Sequence, residues 1–229
     1  CSSLTTITIP ASVTSVESQA FGSASFGSAL KRVDITDMVA WCNIDFEDSE
    51  SNPTRYAKKL YLNGTEVTEA VIPSDASEVK PYVFQGLTSL TGVTIHDGVT
   101  AIGAGAFEDC SALTGITIPA SVEKIDSFAF DICENLNHVT VEWSKPIEIY
   151  EWTFMNNGAD DTLYVPSGSK EAYATAPYWK EFKEIIEYGF IMNDVAMIAG
   201  KALQLPVELT YGADITAFQC DICLPEGIT

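Results

Sequence analysis

Phenylalanine recurs at a fixed step of 23 residues through the middle of this chain, at Phe84, Phe107 and Phe130. Leu90, Leu113 and Leu136 keep the step, as do Val93, Ile116 and Val139, then Ile95, Ile118 and Val141, and the pair Cys110 and Cys133. A repeat this short cannot bury its own apolar face. It buries that face against the repeats on either side, and the stack is a solenoid. Composition allows it, since 46% of the 229 residues are hydrophobic, enough for a sizeable core.

The cleanest two repeats run from Leu87 to Cys133, and each reads as one rung. Leu90 to Ile95 is a strand with Val93 and Ile95 facing inward and Gly92 and Thr94 outward. A turn follows, His96-Asp97-Gly98 in one copy and Pro119-Ala120-Ser121 in the next. Val99 and Ile102, like Val122 and Ile125, anchor the returning segment. Ala106-Phe107 and Ala129-Phe130 then enter the core from what reads as a short helical turn. Stacking gives a β-rich solenoid of about seven rungs with short helical turns and a parallel sheet on one face.

The flanking copies are less regular. Residues 1–24 form one rung, and a three-residue insertion around Phe26 precedes a strand from Leu30 to Ile35. Residues 37–59 break the period. There Met38 to Ile44 reads as a turn carrying Trp41, and Asp45 to Pro53 as an acidic loop. Leu60 to Leu62, Asn63-Gly64, then Glu66 to Ile72 reads as a hairpin, because Asn-Gly suits a type I′ turn. Glu142 to Phe154 carries one extra residue. Leu163 to Pro166 is the last rung strand, Ser167 caps a helix through Ala174, and Trp179 and Phe182 cover the open end. The solenoid and its cap therefore span residues 1–188.

Residues 189–229 have no repeat signature. Val195 to Ile198, Lys201 to Thr210 and Ile215 to Leu224 alternate apolar and polar residues, as strands do. Three strands in so short a segment make an incomplete all-β unit, with remaining strands expected in a longer protein and an edge open to self-association. The chain also reads as beginning inside a repeat: Cys1-Ser2-Ser3-Leu4 with Ile7, Ile9 and Pro10 matches Cys110 to Pro119. An N-terminal Cys is alternatively the lipid-bearing residue of a processed bacterial lipoprotein.

Charge narrows the partners. Twelve Lys and Arg against 32 Asp and Glu leave a net charge of −20. A nucleic-acid backbone needs a basic surface, and anionic lipid needs the same. No apolar run reaches the roughly 18 residues of a membrane span. The bland account of the acidity is a soluble, self-repelling surface.

The motif Cys-Ser-x-Leu-Thr-x-Ile-Thr-Ile-Pro-x-x-Val-x-x-Ile-x-x-x-Ala-Phe, clearest from Cys110 to Phe130, resembles the BspA-like leucine-rich repeats of bacterial surface proteins. The block from Trp41 through Asn52-Pro53 to Leu60-Tyr61-Leu62-Asn63-Gly64 and Val71-Ile72-Pro73 resembles an insert of that family. Leu163 to Tyr173 with Trp179 resembles its terminal cap. Asp214 to Gln219 and Leu224 to Ile228 are similar to the opening strands of cohesin-like or immunoglobulin-like β-sandwiches. The resemblance implies a leucine-rich-repeat solenoid, an extracellular or cell-surface location, and a role in adhesion and host or matrix contact. The family shares no binding motif that would name a ligand.

Catalytic chemistry has little to start from. His96 and His138 occupy different repeat positions, and their equivalents in other rungs are Pro and Gly, so both read as exposed polar residues. There is no nucleophile–base–orienter set, no HExxH, no GxSxG and no phosphate loop. Asp45, Glu47, Asp48 and Glu50 offer oxygens to Ca²⁺, but without a calcium-loop pattern a solvated charge run is the simpler account. Three of the six Cys, Cys1, Cys110 and Cys133, share one repeat position and read as small buried hydrophobes. Rung spacing also permits a Cys110–Cys133 disulfide. Cys220 and Cys223 have CxxC spacing, but on a strand they face opposite sides. No cofactor or metal is expected.

Binding has more. Thr94, Thr117, Thr140 and, allowing the extra residue, Tyr164 form an outward row across the sheet, with Thr8, Asp34 and either Tyr61 or Val71 extending it. Gly92, Gly115 and His138 run beside it. Thr suits an exposed strand whatever the function. The functional version makes this face an extended contact surface for a protein or glycan, with Tyr61, Tyr164, His138 and Glu142 as contact residues. A spacer presenting other domains is the alternative. An accessory subunit of a glycan-processing enzyme is the weakest reading.

Overall fold

The structure, a computed structural model, describes residues 3–22, 28–157 and 161–188, with the backbone of 190–191 and 208–209. The strands in chain order begin with β1 (Thr6–Ile9), β2 (Ser15–Val16) and β3 (Arg32–Ile35), helix α1 (Met38–Cys42), and β4 (Asp45–Phe46). Helix α2 (Thr54–Ala57) leads to β5 (Leu60–Leu62), β6 (Thr65–Glu66), β7 (Glu69–Val71), β8 (Glu78–Val79), β9 (Gly92–Thr94) and β10 (Ala101–Ile102). Then come β11 (Gly115–Ile118), β12 (Lys124–Ile125), β13 (His138–Val141), β14 (Thr162–Pro166), helix α3 (Lys170–Thr175), a 3₁₀ turn (Trp179–Glu181) and β15 (Glu184–Tyr188). The fold is the expected leucine-rich-repeat solenoid.

One face carries parallel ladders β1–β3–β5, β7–β9 and β11–β13–β14–β15. A second parallel ladder, β8–β10–β12, runs up the returning segments. Register follows the period: Gly115 lies beside His138 and Thr117 beside Thr140, 23 residues on. The extra residue then makes the next step 24, His138 beside Thr162. Pairing does not stop at β14. β15 adds a further parallel strand, so Leu163–Pro166 is not the last.

The predicted helical turn is not a helix. Residues 104–109 form successive tight turns, with Ala106, Glu108 and Cys110 N–H groups each donating three residues back, at 3.2 Å. Two residues per rung have left-handed backbones: Tyr82, Gly105 and Phe128 at one position, Gly86, Asp109 and Ile132 at the other. A left-handed residue every four interrupts helix propagation. It also turns alternate N–H groups toward the next rung. Gly105, Phe107 and Asp109 donate to Ser127, Ala129 and Asp131 at 3.2, 2.9 and 2.8 Å, and Phe128, Phe130 and Ile132 repeat the pattern onto Trp152, Thr153 and Met155. The side opposite the strands thus has its own inter-rung ladder.

Between the two ladders lies an aromatic spine. Phe84 stacks on Phe107 at 5.5 Å, Phe107 on Phe130 at 5.2 Å and Phe130 on Phe154 at 5.1 Å, all near-parallel. Phe84, Phe107 and Phe130 are fully buried, each contributing about 1.5–3 kcal/mol of hydrophobic stabilisation. The spine ends against Trp179 and Phe182, which close the stack as expected. The cap helix starts two residues later than predicted: its N-cap is Ser169, not Ser167. Tyr173 and Trp179 are buried and tie the cap down, donating to Trp143 O and Ile147 O at 2.9 and 2.8 Å.

The insert at 37–59 replaces a rung's backbone ladder with side chains. Val83 and Gln85 stand where Ala106 and Glu108 accept from the rung below in the next copy. Here Trp41 Nε1 donates to Val83 O at 3.0 Å, and Thr54 Oγ1 to Gln85 O at 2.7 Å. Asn52 Nδ2 donates to Tyr82 O at 2.6 Å while its Oδ1 accepts from Thr54 N–H at 2.8 Å. Ser51, Asn52 and Thr54 are accordingly buried. So Asp45 to Pro53 is not simply an exposed acidic loop. Asp45–Phe46 is a strand paired with β2, and the loop's end is core. The Asn63-Gly64 turn is left-handed at both residues, as type I′ requires. The hairpin itself is shorter than predicted: β6 ends at Glu66, and Glu69–Val71 is a separate strand paired with β9.

In the C-terminal segment, Phe190–Ile191 and Glu208–Leu209 form an antiparallel pair. The rest of the predicted strands, the sandwich resemblance, Cys220 and Cys223 lie outside the described residues, as do Phe26 and Cys1.

Candidate functional site

The outward row falls where the period places it. Val71 lies beside Thr94, and Thr117, Thr140 and Tyr164 follow one another in register. Gly92 has Glu69 on one side, and Gly115 has His138. The aligned polar residues keep the face flat because Gly and Thr carry little side chain. His138 and Tyr164, on adjacent strands, stack with ring centroids 5.7 Å apart and planes 5° apart. The geometry brings these two candidates together, although their positions in the repeat differ.

Between β9 and β11 the face is interrupted. No ladder joins these neighbouring strands, although the ladders on either side are intact. At the strand starts, Thr91 N–H donates to Thr68 O at 2.7 Å and Asn137 N–H to Thr114 O at 3.1 Å. Among the described residues, no equivalent bond runs from Thr114 or Gly115 to Thr91. Pro119 contributes to the break. Its counterpart one rung on, Glu142, gives its N–H to Ile118 O at 3.2 Å, and proline has none to give Ile95. Val93 is only half-buried, whereas Ile116 and Val139 at the same position are buried. A shallow groove of about 610 Å³ lies over the break, lined by residues of β7, β9, β11 and β13 that include Glu69, Val71, Thr94, Thr117, His138 and Thr140. Glu69 was not singled out from sequence, although it stands 23 residues before Gly92.

The two remaining candidates sit elsewhere. Tyr61 belongs to the β1–β3–β5 ladder, beside Asp34 and across the hairpin from Glu66. The Arg32 guanidinium lies 3.9 Å from its ring centroid and is paired with Asp34 at 2.6 Å. The hydrogen bond from Arg32 holds the Asp34 carboxyl below its usual range, and the hydrogen bond from Lys59 does the same for Glu66. This is a self-satisfied charged cluster. Glu142 follows β13, and its Oε2 accepts from Ala120 N–H at 3.2 Å. It holds a turn and lies off the groove.

His96 is not simply an exposed polar residue. Nε2 lies 2.7 Å from Pro73 O and Nδ1 accepts from Gly98 N–H at 3.0 Å, so the ring bridges two rungs. In the acidic loop, Lys80 pairs with Asp45 at 2.8 Å, Glu47 accepts from Ser18 N–H at 2.8 Å, and Asp48 binds Ser18 Oγ and Glu50 N–H. Those carboxylates are engaged within the fold, and no group of three or more His, Cys, Asp or Glu is placed to hold a metal among the described residues. Cys42, Cys110 and Cys133 are buried free thiols, so the permitted Cys110–Cys133 disulfide is not formed. Burial pushes Cys42 and Cys133 up to about 12, far from a reactive thiolate. No helix among the described residues is long and apolar enough to cross a membrane.

The repeat pattern matches a family model described as BspA type leucine rich repeat region, in six copies over residues 1–43 and 55–176. Among curated proteins none matches the sequence. A solved structure, that of a leucine rich cell surface protein from Faecalibacterium prausnitzii, is 20% identical with a TM-score of 0.38. The alignment covers 81% of this chain and 57% of that one, so this chain spans under two thirds of that protein's length.

Proposed function

Because the chain belongs to the family of BspA type leucine-rich-repeat proteins, we propose that it is a non-catalytic repeat protein of the bacterial cell surface. On this reading its strand face makes adhesive contact with a protein or glycan. The observation that carries it is the groove over β7 to β13, flat, open and uncharged at its centre, with the His138–Tyr164 stack at one side. An open surface of small side chains suits an extended macromolecular ligand better than an enclosed metabolite. The aromatic pair supplies the rigid contact area that concentrates interface energy. Thr94, Thr117, Thr140, His138 and Tyr164 are the contact residues of this proposal. Tyr61 belongs to a separate charged patch on the same face.

The test is binding to arrays of extracellular-matrix proteins and of oligosaccharides, with Thr117→Arg and His138→Ala compared with the parent. Loss of about tenfold or more in both variants on one probe class is expected. Unchanged binding to every probe that the parent holds would remove the face from consideration. The paired ladders on both sides of the core favour a second reading, a stiff spacer that presents other domains. Absence of any binding probe would leave that reading in place.

A further inference from the structure

The break in the sheet has a chemistry of its own. Polar groups of successive strand residues point to opposite sides. Gly92 N–H donates to Thr68 O and Thr94 O accepts from Ile72 N–H, so these two residues turn to β7, and Val93 turns toward β11. Ile118 O accepts from Glu142 N–H and Thr114 O from His138 N–H, so those residues turn to β13, and Gly115 and Thr117 turn toward β9. Two strand edges therefore face one another without a ladder in the middle of the most regular rungs. Unpaired edges recruit strands.

We propose that the break between β9 and β11 is a β-strand acceptor, into which an extended peptide segment of a protein partner inserts as an additional rung. This rests on the reading of the strand face as the contact surface and commits it to protein. Only a peptide backbone offers N–H and C=O alternately to two edges at once; a glycan does not. The flanking rungs are fastened independently. β10 stays paired with β12, and Gly105, Phe107 and Asp109 hold the opposite side, so the strand face can spread while the far side acts as the hinge. Full insertion needs β9 and β11 about two strand spacings apart, each about 4.8 Å.

The surroundings specify the guest. Gly92 and Gly115 put no side chain over the gap, and half-buried Val93 packs against the core from the edge of the break. The segment that fits alternates apolar residues, which join Val93, Ile95, Ile116 and Ile118, with outward residues that are small or polar. A chain of net charge −20 with Glu69 on the groove wall disfavours acidic guests.

A reversible lock tests the proposal without substituting the outward Thr, His and Tyr residues. In a Gly92→Cys, Gly115→Cys variant, the new Cβ atoms meet Glu69 Cγ at 3.8 Å and the Cβ and backbone O of His138 at 3.5 Å, ordinary contacts, so the fold accommodates both. Oxidation ties β9 to β11, and reduction frees them. The probe is a phage-displayed library of random peptides about seven residues long, selected on the reduced full chain and counter-selected on the oxidised one. The proposal expects alternating apolar–polar peptides that bind the reduced form about tenfold or more tightly than the oxidised form. They should lose binding when N-methylated at alternate backbone nitrogens. Peptides indifferent to the lock or to N-methylation, or no peptide that discriminates, overturn it. If binding is blocked by Thr117→Arg yet indifferent to the lock, or if only oligosaccharides bind the face, the strand-face reading stands and the acceptor fails. If the ligand is indifferent to both changes, both fall.

Discussion

The thiol of Cys133 donates to the carbonyl of Phe107, 3.1 Å away and one rung below, and Cys110 does the same to Phe84 at 3.2 Å. In each case the acceptor is the residue whose ring belongs to the aromatic spine and whose N–H reaches the rung above. A 23-residue repeat therefore places the small residue where it can satisfy a buried carbonyl. Burial raises Cys133 and Cys42 from the ordinary 9.0 to about 12, and Cys110 well above it.

That shift has a definite sign in the stability. An acid whose folded pKa is raised keeps its proton in the native state while the unfolded chain gives it up. Stability from these three thiols is therefore fully present below pH 9 and falls as pH rises from 9 toward 12. The slope is up to about 1.4 kcal/mol per pH unit for each thiol. Urea denaturation between pH 8 and 11 should show this decline, and Cys133→Ser should reduce it. Cys42, Cys110 and Cys133 should also resist an aromatic disulfide reagent at pH 8 and react only as the chain unfolds.

Left-handed backbones give the second prediction. Gly86 and Ile132 share one repeat position, with φ of 78° and 57°. Gly86 has no room for a side chain, since a Cβ there would stand 2.8 Å from Thr54 O. Gly86→Ala should cost at least about 1–2 kcal/mol. At Ile132 a half-buried β-branched residue bears the strain. Ile132→Asn should raise the melting temperature, because Asn adopts this backbone more readily. Calorimetry of both variants checks the opposite signs.

The insert supplies the third. Thr54→Val preserves shape but removes the hydroxyl that serves Gln85 O and binds Asn52 Oδ1. Asn52 Oδ1 keeps its bond from Thr54 N–H, whereas Gln85 O loses this donor, and a buried acceptor left unpaired costs about 1–3 kcal/mol. A comparable substitution of exposed Thr117→Val should cost under about 0.5 kcal/mol. Equal losses in denaturant melts would mean that the insert does not stand in for a backbone ladder.

Legibility in the sequence divides along the same line. Phe107, Leu113, Ile116 and Cys110 could be placed in the core because packing repeats with the chain, and the row Thr94, Thr117, Thr140, Tyr164 followed from counting. What repeated only in backbone conformation stayed hidden. Tyr82, Gly105 and Phe128 share a left-handed turn but no chemistry, so the turn read as helix. Asn52 looked like a loop residue, and Thr54 was not singled out, because their partners are carbonyls of another rung. The break beside Gly115 was illegible because repeats 87–133 match so well in side chains. Only the absent N–H of Pro119 pointed to it.

That break yields a comparison with little room for confounding. Gly92 and Gly115 are the same residue type, each preceded by Thr and followed by a β-branched residue, so their intrinsic amide exchange rates are nearly matched. Gly92 N–H is directed at Thr68 O, 3.4 Å away at the foot of an intact ladder. Gly115 N–H has no equivalent bond to Thr91. Local openings determine exchange where a bond exists, and no opening is needed where none does. Hydrogen exchange followed by NMR should show Gly115 exchanging about tenfold or more faster than Gly92. Oxidation of the Gly92→Cys, Gly115→Cys variant should protect the flanking Thr117 amide as the edges close. Equal protection of Gly92 and Gly115 in the parent would mean that β9 and β11 are zipped in solution and that the face has no gap to fill.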